Sequence, residues 1–229
     1  MDEYVDIPWD DDDADKRFAE LPDHEDLEDL PDDGLIGLAF AYERAGDLEG
    51  ARLAHELELR RHAHEPWALY FLAAAEFYQQ ALEDEPGAPE RARELFARVL
   101  DPDVSGNPED LIGALKGLSD LAEDESEVAA YQARIEAIKQ ESLALSLAKA
   151  FSLEPEEAAA LEVAGYRCLQ DIQLLSSEEL KALPVLGDYE PWLVDLVLDL
   201  NGLPDREWAR VEAGLYDDED WDDDDDDDQ

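Results

Sequence analysis

Between Gly34 and Phe151 the apolar positions recur three or four residues apart, and no stretch alternates every second residue. That period lines apolar side chains along one face of an α-helix and argues against half-buried strands. Leu35, Leu38, Ala39 and Tyr42 share such a face, and Ala45-Gly46-Asp47 stops the helix, since glycine followed by a short acidic side chain favours a turn. A second helix is expected from Leu48 to about His62. A third is opened by Pro66, which a first helical turn tolerates, and runs through Trp67, Phe71, Ala75 and Tyr78. Glu85-Pro86-Gly87-Ala88-Pro89 ends it. Residues 90–100 form the next, with Ala92, Leu95, Phe96 and Val99 as its stripe. Asn107-Pro108 caps a helix over 109–121, and a long one is expected from Ser126 to about Phe151.

Residues 152–203 read as shorter pieces: Pro155 to Ala164, Leu169 to Leu175, Glu178 to Leu183 behind a Ser176/Glu179 capping box, and Trp192 to Leu200. Gly202 and Pro204 stop the last of them. Residues 1–31 and 204–229 hold no sustained period, so both are expected to be acidic tails, disordered or loosely draped. The expected organisation is therefore all-α: a tail over 1–31, helical hairpins over 32–151, a small helical domain over 152–203 and a tail over 204–229.

The six helices of 32–151 pair into three hairpins. The order Leu38, Ala39, Tyr42, Gly46, Ala51, with Pro66 behind the second helix, resembles a tetratricopeptide repeat. The second pair matches through Ala75, Tyr78, Ala92, Phe96 and Pro102 across a longer loop, the third through Ala114 and Ala129 only. The resemblance implies hairpins stacked into a short superhelix, because each apolar face needs a neighbour to cover it. In residues 152–203 the string Ala164-Gly165-Tyr166, Leu169, Asp171-Ile172, Ser176, Glu179-Leu180, Leu183-Pro184 and Leu186-Gly187 resembles a helix-hairpin-helix domain. That family presents backbone N–H groups of a Gly-apolar-Gly hairpin to a DNA phosphate. Here Val185 replaces the first glycine and Asp188 and Glu190 follow, so the fold is implied and direct nucleic-acid binding is not.

Charge changes the picture more than any motif. The chain carries 64 acidic and 17 basic residues, a formal net charge of −47. Residues 1–33 hold 16 acids and 2 bases (net −14) and residues 205–229 hold 14 acids and 2 bases (net −12), which leaves −21 for the middle. Repulsion on that scale keeps the tails solvated and turns away nucleic-acid phosphates and anionic lipid. The acidity has two readings. It is either recognition of a basic protein surface or the solubility adaptation of a halophilic organism or virus, and the Lys-poor middle suits the latter. Tyr4, Trp9 and Phe18 interrupt the first tail, and Trp208, Tyr216 and Trp221 the second. Aromatic anchors among carboxylates resemble the tails of histone chaperones and imply rings docked in apolar niches while Asp pairs with Lys and Arg. The lone Cys168 excludes an internal disulfide, the longest apolar run (Trp67 to Ala75) is too short to cross a membrane, and Met1-Asp2-Glu3-Tyr4 lacks the pattern of a signal peptide. A soluble, cytoplasmic protein is expected.

Candidate chemistry is sparse. Asp101, Asp103, Ser105, Asn107 and Glu109 imitate a calcium loop, but Pro108 and Ile112 stand where an aliphatic and the bidentate Glu belong. His55, His62 and His64 cluster near a helix end where cations are favourable in any case. Cys168 falls in register with Leu169 and Ile172 and is expected in the core. No nucleophile, acid–base set or phosphate loop is evident, so no enzyme, metal or cofactor is expected. The grooves with which tetratricopeptide proteins grip C-terminal carboxylates use Lys and Asn. The corresponding positions here are Ile36 and Phe40, which suit an apolar peptide or partner helix. The expected function is a non-catalytic protein–protein adaptor or assembly factor, with Tyr4, Trp9, Ile36, Phe40, Tyr216 and Trp221 as contact residues. The alternatives are an accessory of nucleic-acid machinery, through the hairpin domain or by mimicking DNA charge, and the high-salt structural protein.

Overall fold

The structure is a computed structural model that describes residues 21–31, 34–82 and 85–215. Those residues are mostly helical, with no strand among them, and none of their helices is long and apolar enough to cross a membrane. The chain divides into two compact units: residues up to 106 together with 113–132, and residues 107–112 together with 133 onward.

The first unit is built from antiparallel hairpins. α1 (Leu35–Ala45) and α2 (Leu48–Arg61) turn at Gly46, whose φ of 76° closes α1, a conformation glycine adopts without cost. Asp47 starts α2 by accepting the Gly50 N–H at 3.0 Å. α1 buries Leu35, Leu38, Ala39 and Tyr42, as their spacing requires. α3 (Ala68–Gln80) and α4 (Ala88–Val99) form the second hairpin. α3 starts two residues beyond Pro66, a correction to the expected opening. Pro66 O accepts from the Ser105 N–H and the Ala68 N–H donates to Ser105 O, so Trp67 is extended. Glu56 on α2 ties three helices by accepting from Arg91 of α4 at 2.9 and 3.0 Å and from the Tyr78 hydroxyl of α3 at 2.9 Å. α5 (Pro108–Asp120) enters this unit through Gly113, beside Leu72, and Gly117, against the Phe96 ring. Arg93 of α4 donates to Leu121 O, just past the end of α5.

Residues 21–31 are not a loose tail. His24–Asp29 form a 3-10 helix that buries Leu27. The segment is strapped to the first hairpin at both ends. Tyr42 donates its hydroxyl to Pro22 O, and His24 pairs with Asp47 at 2.8 Å. Arg60 meets Glu28 at 2.7 Å, and Arg61 donates to Leu30 O and Glu28 O.

α6 (Glu125–Leu143) stops short of the expected Phe151. Leu145 and Leu147 leave helical geometry because Leu169 N–H donates to Leu145 O at 3.0 Å and Leu147 N–H to Arg167 O at 2.9 Å. Ser146 then caps the short α7 (Leu147–Ala150). The second unit continues with α8 (Pro155–Ala164), α9 (Leu169–Ile172), α10 (Ser177–Lys181), a 3-10 turn at Leu186–Asp188 and α11 (Pro191–Leu200). Their core joins Leu147, Leu161, Leu169, Ile172, Leu180, Leu186, Val194 and Leu198, with Leu143, Leu145 and Phe151 packed around it. The expected boundary at 152 therefore falls inside this core. The expected Ser176/Glu179 capping box forms, at 3.2 and 2.8 Å.

A last helix, α12 (Arg206–Glu212), lies in what the sequence presents as tail. Its hold is the buried Arg206 guanidinium, which meets Asp195 at 2.8 and 3.0 Å and reaches Leu175 O and Pro191 O. Arg210 adds a bond to Leu174 O at 2.9 Å.

Both anchorages can be tested. Arg206→Ala removes the guanidinium from Asp195, which keeps only the residue-206 N–H at 3.2 Å, and from Leu175 O and Pro191 O, so urea unfolding should show a loss of about 3 kcal/mol, the lower end of the range for a broken buried pair because Asp195 keeps some solvent. Arg206→Lys, unable to form the fork, should recover little of it. At the strap, the Gly50 N–H, and then His24, hold the Asp47 carboxyl below its ordinary range. Its contribution is therefore complete at neutral pH and is lost as pH falls through the lowered value. The gap in melting temperature between the native chain and Asp47→Ala should be widest at pH 7 and narrow as pH falls below the ordinary carboxylate range; a gap independent of pH contradicts this.

Candidate functional site

Ile36 and Phe40 sit four residues apart on α1, both half-buried. The Phe40 ring meets His55 edge-on with centroids 6.1 Å apart, and His55 lies 5.2 Å from the Phe77 ring. His55 is fully buried, and its Nε2 pairs with Glu43 Oε1 at 3.0 Å. An aromatic column thus runs from α1 through α2 to α3, with a carboxylate fixed beside it. Glu76 of α3 lies within electrostatic reach of Glu43. Loss of solvent, and then the Glu43 charge, push the Glu76 carboxyl above its ordinary range. The face therefore combines apolar surface with two carboxylates. Ile36 and Phe40 are the two positions that the sequence singles out on this face. Glu43 and Glu76 are not singled out, because single carboxylates carry no signal in so acidic a chain; the spacing of Glu43 three residues after Phe40 is the cue that finds it.

The histidines do not converge. His62 pairs with Glu58 at 3.3 Å and stacks on Tyr70 at 4.5 Å, while His64 is exposed. The calcium-like loop is occupied by a cation of the chain itself. Arg98 takes Asp103 at 2.6 and 2.8 Å and Asp101 at 3.0 Å while lying 5.5 Å over the Phe71 ring. This holds the Asp103 carboxyl low. Asn107 and Asp110 cap each other's backbone at 2.7 and 3.0 Å. Among the described residues no group of three or more His, Cys, Asp or Glu could hold a metal ion.

Cys168 corrects its expected place. Leu169 and Ile172 are fully buried, but Cys168 precedes α9 in extended conformation, half-exposed, with Sγ 3.5 Å from Asp171 Oδ2. Its extended backbone is set by the bridge to Ser146.

The hairpin at residues 183–188 is the strained turn on which the helix-hairpin-helix resemblance centres. Val185 has φ 66° and ψ −64°, and the Leu186 N–H donates to Pro184 O at 2.7 Å, which defines a γ-turn of the rare positive-φ form. A β-branched residue there is a genuine outlier. Gly187 is required for a different reason: a Cβ would stand 2.5 Å from Lys181 O. Val185 thus occupies a positive-φ conformation that glycine adopts at lower cost.

Of the tail aromatics, Tyr4, Trp9, Phe18, Tyr216 and Trp221 lie outside the described residues, while Trp208 lies on α12, 57% exposed. Comparison with protein-family models, curated proteins and solved structures finds no match for this chain. The tetratricopeptide and helix-hairpin-helix resemblances accordingly rest on the residues quoted for them.

The strain at Val185 is measurable. Ala and Gly both delete the side chain, but only Gly relaxes the positive φ. Val185→Gly should be more stable than Val185→Ala by about 1 kcal/mol in urea unfolding, the reverse of the order expected where φ is negative.

Proposed function

We propose that this chain is a non-catalytic adaptor or assembly factor. Its hairpins form a tetratricopeptide-like superhelix that offers Ile36 and Phe40 to a partner peptide or helix. Its acidic tails engage a basic protein surface, with Tyr4, Trp9, Tyr216 and Trp221 as anchors. The observation that carries this reading is how the tails join the fold. The N-terminal acidic run reaches the first unit through a strap held by Leu27, Tyr42, Arg60 and Arg61. The C-terminal run leaves from α12, held by Arg206 and Arg210. Each run therefore has a fixed root, which lowers the entropy lost when a partner engages it. Within the runs themselves few cations answer this charge: residues 216–229 contain 11 acids and no base, and residues 1–20 only Lys16 and Arg17. A surface rich in Lys and Arg is the complement.

The second reading, an accessory of nucleic-acid machinery, is favoured by the strained hairpin at Val185. With Asp188 and Glu190 beside it, such a role would rest on charge mimicry rather than on phosphate contact.

Trp9→Ala and Trp221→Ala leave the charge intact and remove the rings. In capture of basic proteins from native lysate, each should weaken retention by about tenfold or more, the usual cost of truncating an aromatic anchor. Retention unchanged by both would make the tails purely electrostatic and sink the anchor reading.

A further inference from the structure

Residues 21–31 sit on the first hairpin as a bound peptide sits on a receptor. The 3-10 turn packs on α2 and buries one side chain fully, Leu27, at 3% exposure. On either side of it the hairpin holds the segment by its backbone. Tyr42 of α1 donates its hydroxyl to Pro22 O, and Arg61 of α2 donates to Glu28 O at 2.9 Å and to Leu30 O at 2.8 Å. Carbonyl contacts of this kind tolerate many side chains, so selection falls to the remaining contacts. Leu27 supplies the apolar centre, Arg60 takes the Glu28 carboxylate at 2.7 Å, and Asp47 takes His24 at 2.8 Å. Gly50 completes the seat, because a Cβ there would stand 2.6 Å from the Tyr42 ring and 2.9 Å from His24 Nε2.

The hold is shallow. Arg60 and Glu28 are 64% and 65% exposed, where solvent screens their attraction, and His24 and Asp47 are each more than a third exposed. A segment fixed by one buried leucine and exposed ion pairs belongs to the least stable part of a fold, and it opens locally while the helices beneath it stay formed. Charge gives the class of ligand. The segment carries Asp23, Glu25, Asp26, Glu28 and Asp29, all exposed. It settles on the end of α2 that bears Arg60 and Arg61 side by side, in a chain with only 17 bases. Two adjacent cations, donors for backbone carbonyls and a niche for one leucine together select an acidic peptide.

We infer that this face of the first hairpin is a docking site for a short acidic segment of a partner protein with a leucine at its centre, and that residues 21–31 are the resident occupant which such a segment displaces. Tyr42 and Arg61 hold the carbonyls of whichever segment is seated, and Arg60 takes its carboxylate. Seating the partner's segment frees the root of the N-terminal run, so this interaction opposes the one proposed for that run and does not depend on it.

The test uses the full chain and a labelled synthetic peptide of residues 21–31, followed by fluorescence anisotropy. Leu27→Asp in the chain places a charge in the niche and releases the strap. The released chain should bind the peptide, and the native chain should bind it more weakly by about tenfold or more, because the tethered strap competes at high effective concentration. Adding Tyr42→Phe and Arg61→Gln to the released chain should weaken the peptide by about tenfold or more, as should Leu27→Ala within the peptide. Helical circular dichroism should survive the release. Where Leu27→Asp loses it, Leu27→Ala in the chain takes its place, and loss with both makes the strap part of the core and overturns the proposal. A folded, released chain that ignores the peptide overturns it too, as does equal affinity in the native and released chains. A peptide that binds as well without its leucine reduces the face to a cationic patch. Dimers of the native chain that Leu27→Asp abolishes would give the site to a second copy's strap and overturn the choice of partner.

Discussion

Like-charge repulsion is the constraint against which everything else in this molecule is arranged. With 64 acids to 17 bases, cations are scarce, and several of the arginines join separate segments. Arg91 joins α4 to α2, Arg93 joins α4 to the end of α5, and Arg60 and Arg61 bind the strap to α2. Arg98 closes the turn after α4, and Arg206 and Arg210 hold α12. Most of these contacts bridge segments distant in sequence. Several end on backbone carbonyls, where a guanidinium satisfies an acceptor that a carboxylate would repel. Exposed pairs of this kind contribute little one at a time, whereas Arg206, buried and forked onto Asp195, is the exception.

The apolar cores then need only supply ordinary packing. In the first unit Tyr42 and Phe96 are the largest fully buried side chains, and each is accommodated by a glycine on a neighbouring helix, Gly50 and Gly117. In the second, short helices surround a cluster of leucines. The acidic runs at either end contribute repulsion and, on the proposed reading, specificity. Their roots are the strap and α12.

Local forces made part of this structure legible in the sequence, and long-range ones hid the rest. The stop at Gly46, the Ser176/Glu179 box and the apolar stripes of α1 and α4 depend on residues within one turn, and they were legible. The break after Leu143 was not, because Leu143-Ala144-Leu145-Ser146-Leu147 suits a helix locally and is pulled out of it by Arg167 and Leu169. The strap was hidden because Leu27 is a single buried residue among aspartates. α12 was hidden because its inward face is Arg206 and Ala209, a pattern that a search for apolar stripes rejects. Phe40 stands out in the sequence as a candidate contact residue, but its coupling through His55 to Phe77 and Glu43 required three helices to be assembled first.

Recognition and high-salt adaptation make the acidic runs behave differently once the fold is left alone. The most direct measurement removes residues 216–229, keeps α12 intact, and records both melting temperature and affinity for a basic protein surface as salt is varied. If the run serves recognition, the melting temperature is unchanged, and affinity falls together with its salt dependence, because the run contacts the partner and not the fold. A melting temperature that shifts with the truncation, while affinity stays as it was, would contradict it.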